Sequence, residues 1–146
     1  MRYPGPMLFA MALCANNAIA APRFEDFPAT KYTGKIAQVR LADARSRQYA
    51  SVLRAGVKGA PNFAGHYFLV TWGCGASCIT GAAIDAGTGN VTWLPFTVCC
   101  WPLQISEPLA FRRDSNLLVT HGALNEMGDS SAMHYHVLEN GKFSGK

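Results

Sequence analysis

The chain has 146 residues, 49% of them hydrophobic and 15% charged, with a formal net charge of +4. That length and apolar fraction suit one domain with a substantial core and argue against extended disorder. The 13 lysines and arginines are scattered, with Arg40, Arg45, Arg47, Arg54 and Lys58 the densest group. A nucleic-acid binder would show a basic cluster interleaved with stacking aromatics, and none is evident.

Residues 1–20 read as a signal peptide. Met1-Arg2 gives a short positive start, Met7 to Ala15 is apolar, and Ala18-Ile19-Ala20 places small residues where a signal peptidase reads them. The apolar run is too short for a membrane span, and Leu13 before Cys14 does not fit a lipoprotein site. The expectation is a periplasmic or secreted domain over residues 21–146, without a transmembrane segment and with four of the five cysteines retained.

After an irregular lead-in with Pro22, Phe24, Phe27 and Pro28, the alternation of Lys35 to Leu41 predicts a strand with one wet face. Asp43 to Val57 changes period: Asp43 can cap, and Tyr49, Val52 and Leu53 share a side, which predicts one helix ended by Gly56 and Gly59. The β-branched and aromatic run Tyr67 to Trp72 predicts a mostly buried strand, entered through the turn Pro61–Gly65. Ile79 to Asp85 and Asn90 to Val98 predict two more strands joined by the Gly- and Asn-rich link between them. Leu109–Phe111, Leu117–His121 and Ala132–Leu138 follow as strands, and Asn140-Gly141 makes a tight turn before the tail. The fold class expected is α+β, mostly antiparallel β, as a small single sheet or a sandwich of hairpins with one N-terminal helix.

Two segments carry resemblances. Asn62-Phe63-Ala64-Gly65-His66-Tyr67, with Trp72-Gly73-Cys74-Gly75, Cys78 and Ile84-Asp85…Thr88-Gly89, resembles a group of small exported bacterial proteins without an assigned function, which implies a periplasmic home but no reaction. Phe111-Arg112-Arg113-Asp114-Ser115-Asn116-Leu117-Leu118-Val119 is similar to the turn of a β-propeller blade. A chain this short cannot close a propeller, so that likeness implies blade-like antiparallel hairpins alone.

Cys74, Cys78, Cys99 and Cys100 make an even set in an exported chain, which reads as disulfides. A zinc site is the rival, poorly served by adjacent ligands, and a thiol nucleophile beside His66 is another. A regular hairpin about the Asp85–Asn90 link sets Cys78 opposite Cys99, so the expected bridges join segments, Cys78–Cys99 with Cys74–Cys100 or, one residue out of register, Cys74–Cys99 with Cys78–Cys100, in preference to Cys74–Cys78 with Cys99–Cys100.

His134 and His136 share one face of their strand, and His121 ends a neighbouring strand with Glu126 and Asp129 beyond it, a spacing that suits zinc. The plain alternative is two half-exposed histidines on a wet face, whose removal would change stability by less than about 1 kcal/mol. His66 is either a hydrogen-bonded tie between turn and sheet or a binding residue. Trp72, Trp93 and Trp101, with Tyr67 and Tyr135, are either core or a sugar- or protein-binding surface. No Gly-x-Ser-x-Gly elbow or phosphate loop occurs, the nine carboxylates are dispersed, and no cofactor is implied.

These features favour a non-enzymatic periplasmic binding or inhibitory module that meets an envelope protein or a glycan through exposed loops. Periplasmic lysozyme inhibitors and toxin-immunity proteins are analogues of class alone, since the Ser-Gly-x-x-Tyr loop by which such lysozyme inhibitors are recognised is missing here. The alternatives are a metal-binding protein or metal-dependent enzyme using His121, His134 and His136, and a structural envelope protein with no dedicated site.

Overall fold

A computed structural model describes Met1 and residues 20–146. The apolar leader expected over residues 1–20 lies almost wholly outside the described residues. Among those described, no helix is long and apolar enough to cross a membrane.

Among the described residues the architecture is α+β and mostly antiparallel, with nine strands, two short α-helices and a 3-10 turn at Phe24–Asp26. In the first sheet β1 (Tyr67–Gly75) pairs with β2 (Cys78–Asp85), which also pairs with β3 (Val91–Trp93) and β4 (Val98–Cys99); β4 pairs with β7 (Ala123–Leu124). The second sheet runs β5 (Leu109–Phe111), β6 (Leu117–His121), β8 (Met133–Glu139), β9 (Lys142–Gly145). The Asn140-Gly141 turn closes β8 onto β9, with Glu139 opposite Lys142 and Asn140 left-handed at φ 50°. The tail after that turn is therefore a strand.

Alternation along β1 divides the core. Tyr67 and Leu69 face the second sheet and join Ala83, Leu118, Leu138 and Phe143 in a shared core. Phe68 and Val70 point the other way, with Ala82 and Ile84, toward Leu53 of the helical segment. Phe24 and Phe27 of the lead-in cover the far side of the second sheet, over Leu117, Val119 and Val137. The layers thus run helices, first sheet, second sheet, lead-in.

Three sequence expectations change here. Residues 35–41 form no strand; they run extended along the β2–β3 hairpin and touch it through Ala37 N to Ala86 O and Arg40 N to Gly89 O. Two backbone bonds do not make a ladder. The single helix is broken at Tyr49 into α1 (Ala44–Gln48) and α2 (Ala50–Gly56), although Asp43 caps it as expected by accepting from Ser46 N at 2.6 Å. Tyr49 stacks on Trp72 at 5.1 Å, so its ring is held by the sheet and not by the helix period. The strand expected over Asn90–Val98 is two, β3 and β4, parted by Leu94–Thr97, which includes Pro95.

That break alters the register. Near the turn Ile84 pairs with Val91 and Ala82 with Trp93, two positions off a continuous ladder. At the far end Cys78 pairs with Cys99, as expected, because Leu94–Thr97 takes up the difference.

Candidate functional site

The Asn62–Tyr67 turn and the Asp85–Asn90 link come together at one end of the first sheet. Gly65 makes the turn possible at φ 75°: its α-carbon packs on the Thr30 carbonyl, leaving no room for a β-carbon. Asn62 bridges the turn to β1, accepting from Leu69 N at 2.7 Å. On the hairpin side Asp85 Oδ1 accepts from Gly87 N at 2.8 Å and Thr88 N at 2.9 Å, an Asx turn that sets the link. Its other oxygen, Oδ2, lies 3.5 Å from His66 Nε2.

His66 and Asp85 form one wall of a cleft of about 840 Å³. Thr30, Asn116, Glu139 and Asn140 supply other parts of the lining, with Thr88, Asn90 and Thr92 from the hairpin. Hydroxyl and amide groups dominate, and the lining holds two carboxylates and no lysine or arginine. Tyr67 lies beneath, its ring 4.3 Å from that of His66. Burial, reinforced by the Asp85 carboxylate, pushes the Tyr67 phenol above its ordinary value, so it remains a neutral hydrogen-bonding group. Thr92 Oγ1 donates to Gly141 O at 3.1 Å and ties the first sheet to the β8–β9 turn. Such a surface can exchange hydrogen bonds in both directions with a neutral or cationic ligand.

Of the residues singled out from sequence, His66 and Tyr67 reach this cleft. Asp85, Glu139, Asn116 and Asn140 were missed as site residues. Asp85 read only as a turn former, and nothing local ties it to His66 beyond their presence in one resembling segment.

The three candidate metal ligands do not converge. His134 pairs with Thr120 and His136 with Leu118, whereas His121 pairs with Met133, so strand alternation sends His121 to the opposite face. His121 Nε2 lies 3.0 Å from Ser131 O and His134 Nε2 lies 3.1 Å from Gly122 O. Among the described residues no three His, Cys, Asp or Glu side chains group as a metal needs.

The wet face expected for His134 and His136 is corrected at His136, because their face looks toward the inter-sheet core, while His134 stays half-buried at its margin. His136 is 8% exposed, stacks on Phe96 at 4.2 Å, and its Nε2 meets no hydrogen-bond partner. Burial, with His134 nearby, pulls its pKa down to about 4.

The tryptophans do not form one surface. Trp72 and Trp93 pack edge to face at 6.0 Å on the helical side, with the Arg45 guanidinium 4.0 Å over Trp93. Trp101 rests against the inter-sheet core, and Tyr135 against the Phe24–Phe27 layer.

All four described cysteines are bonded, but not across the hairpin. Cys74 pairs with Cys78 and Cys99 with Cys100. The reason is a bulge: register steps from Gly73↔Ile79 to Gly75↔Cys78, so Cys74 is left over and reaches Cys78 with their α-carbons 5.1 Å apart.

Comparison with protein-family models found no match, and neither the curated proteins nor the solved structures gave one.

Proposed function

We propose that the protein is a non-enzymatic binding module of the periplasm or the secreted space, which takes a segment of another macromolecule into the His66–Asp85 cleft. The observation that carries this reading is the lining itself: convergent hydroxyl and amide groups, two carboxylates and no lysine or arginine. An anionic ligand would meet the Asp85 and Glu139 carboxylates with no lysine or arginine in the lining to offset them, so the chemistry favours an uncharged, polyhydroxylated chain, a glycan. The leader-like residues 1–20 and the paired cysteines support the exported location.

The test is an array of uncharged oligosaccharides probed with the wild type, His66→Ala and Glu139→Ala. Binding by the wild type, weakened about tenfold in each variant (a loss of ~1.4 kcal/mol) with the melting temperature unchanged, is the expected result. Failure to bind any oligosaccharide, or equal binding by the variants, refutes the glycan reading. An envelope protein captured through the same two side chains would keep the cleft as the binding site and replace the partner.

A further inference from the structure

Seven residues along β2 from Asp85, about 23 Å at ~3.3 Å per residue, four sulfurs gather at the opposite end of the sheet. Their order in space is Cys74, Cys78, Cys99, Cys100. The outer two, Cys74 and Cys100, are exposed; Cys78 is half-buried and Cys99 is 2% exposed. The inner two belong to different disulfides, yet they are direct partners in the antiparallel β2–β4 pair. Paired residues of antiparallel strands point to the same face with β-carbons roughly 4.5–5.5 Å apart, within small adjustment of a disulfide. Cys100 is held at this end by donating its backbone N–H to Ser77 O at 3.2 Å, so the two bridges are fastened side by side.

We propose that these four cysteines form a thiol–disulfide exchange relay, separate from the cleft, which accepts two electrons from a dithiol and ends as a cross-strand Cys78–Cys99 bridge. The substrate thiolate attacks Cys100 Sγ, the exposed sulfur; the Cys99–Cys100 bond breaks and Cys99 leaves as a thiolate. Cys99 then attacks Cys78 Sγ opposite it. The Cys74–Cys78 bond breaks, and Cys74 leaves toward solvent and takes up a proton. The second substrate thiol attacks the substrate sulfur held on Cys100, closing the substrate disulfide and releasing Cys100, which is protonated in turn. The dithiol loses two electrons and two protons. The protein passes from two disulfides to one, with Cys74 and Cys100 as surface thiols.

The relay runs in this direction because of what each bridge restrains. A bond between neighbours in sequence constrains almost nothing in the unfolded chain, and Cys74–Cys78 closes only a short loop. Cys78–Cys99 closes the whole segment between β2 and β4, so the fold gains from the exchange.

The full-length protein is treated with one equivalent of dithiothreitol without oxygen, alkylated in acid-quenched aliquots and mapped by peptide mass. The untreated protein is expected to yield Cys74–Cys78 and Cys99–Cys100, and the treated one chiefly Cys78–Cys99 with Cys74 and Cys100 alkylated. Treated protein that keeps Cys74–Cys78, or untreated protein that already carries Cys78–Cys99, overturns the relay. In the Cys74→Ser/Cys78→Ser variant the remaining bridge should be at least tenfold harder to reduce at equilibrium with dithiothreitol, since no second bridge can form. Equal reducibility counts against the proposal.

Discussion

His66 Nε2 stands 3.5 Å from Asp85 Oδ2, and this contact joins the turn before β1 to the hairpin after β2. Asp85 serves two structures at once, because its other oxygen holds the amides of Gly87 and Thr88. Asp85→Ala should therefore lower stability by about 1 kcal/mol, the net worth of the hydrogen bonds that hold this exposed turn. Asp85→Asn, whose amide oxygen can still accept both, should cost less than half as much. Urea unfolding of the two variants measures the difference, and equal losses would show that the turn does not depend on that oxygen.

His136 predicts an acid-sensitive fold. Its folded pKa of about 4 lies below the ordinary 6.5, so on acidification the unfolded chain takes up the proton first. The full stability is present above about pH 6.5 and is lost progressively as the pH falls toward 4. A shift of this size corresponds to roughly 3 kcal/mol across that window. His136→Leu keeps an apolar group against Phe96 and should flatten the stability curve between pH 6.5 and 4. Parallel curves for wild type and variant would mean that the ring takes up its proton equally readily in the folded and the unfolded chain.

Two glycines separate backbone strain from crowding. Gly59 and Gly65 are both left-handed, at φ 71° and 75°, but a β-carbon on Gly59 meets open space while one on Gly65 meets the Thr30 carbonyl. Gly59→Ala should cost about 1–2 kcal/mol, the left-handed penalty alone. Gly65→Ala should cost more than that, with the lead-in displaced from the turn. Thermal unfolding of the pair tests this: a Gly65→Ala loss no larger than that of Gly59→Ala would mean that the lead-in yields freely.

Arg112 makes the shortest ion pairs in the structure, 2.6 Å to Glu25 and 2.7 Å to Asp114, among the described residues. Its side chain is 44% exposed, and solvent screens both pairs. Arg112→Ala should lower stability only slightly, and by less still in high salt. A larger, salt-independent loss in chemical denaturation would show that the guanidinium acts through packing on Phe24, over whose ring it lies at 5.5 Å.

Local chemistry determined much of this protein. Apolar, β-branched and aromatic runs bounded by turn residues placed β1, β2, β5 and β6 close to their observed bounds, alternation placed β8, Asp43 read as a cap, and Asn140-Gly141 as a turn. These features depend on residues a few positions apart, whose preferences survive in any context. Alternation also put His134 and His136 on one face, but it carries no information about what covers that face. Only the docking of the second sheet on the first turned it inward against Phe96. The cysteine pairing followed the same logic. The opposition of Cys78 and Cys99 was legible, whereas the bulge that turns Cys74 back onto Cys78 is a small local departure from strand period between Gly73 and Gly75. The cleft was the least legible part. His66, Asp85, Asn116 and Glu139 come from four separate segments, and their meeting was decided by strand register and sheet packing, which sum over the whole chain.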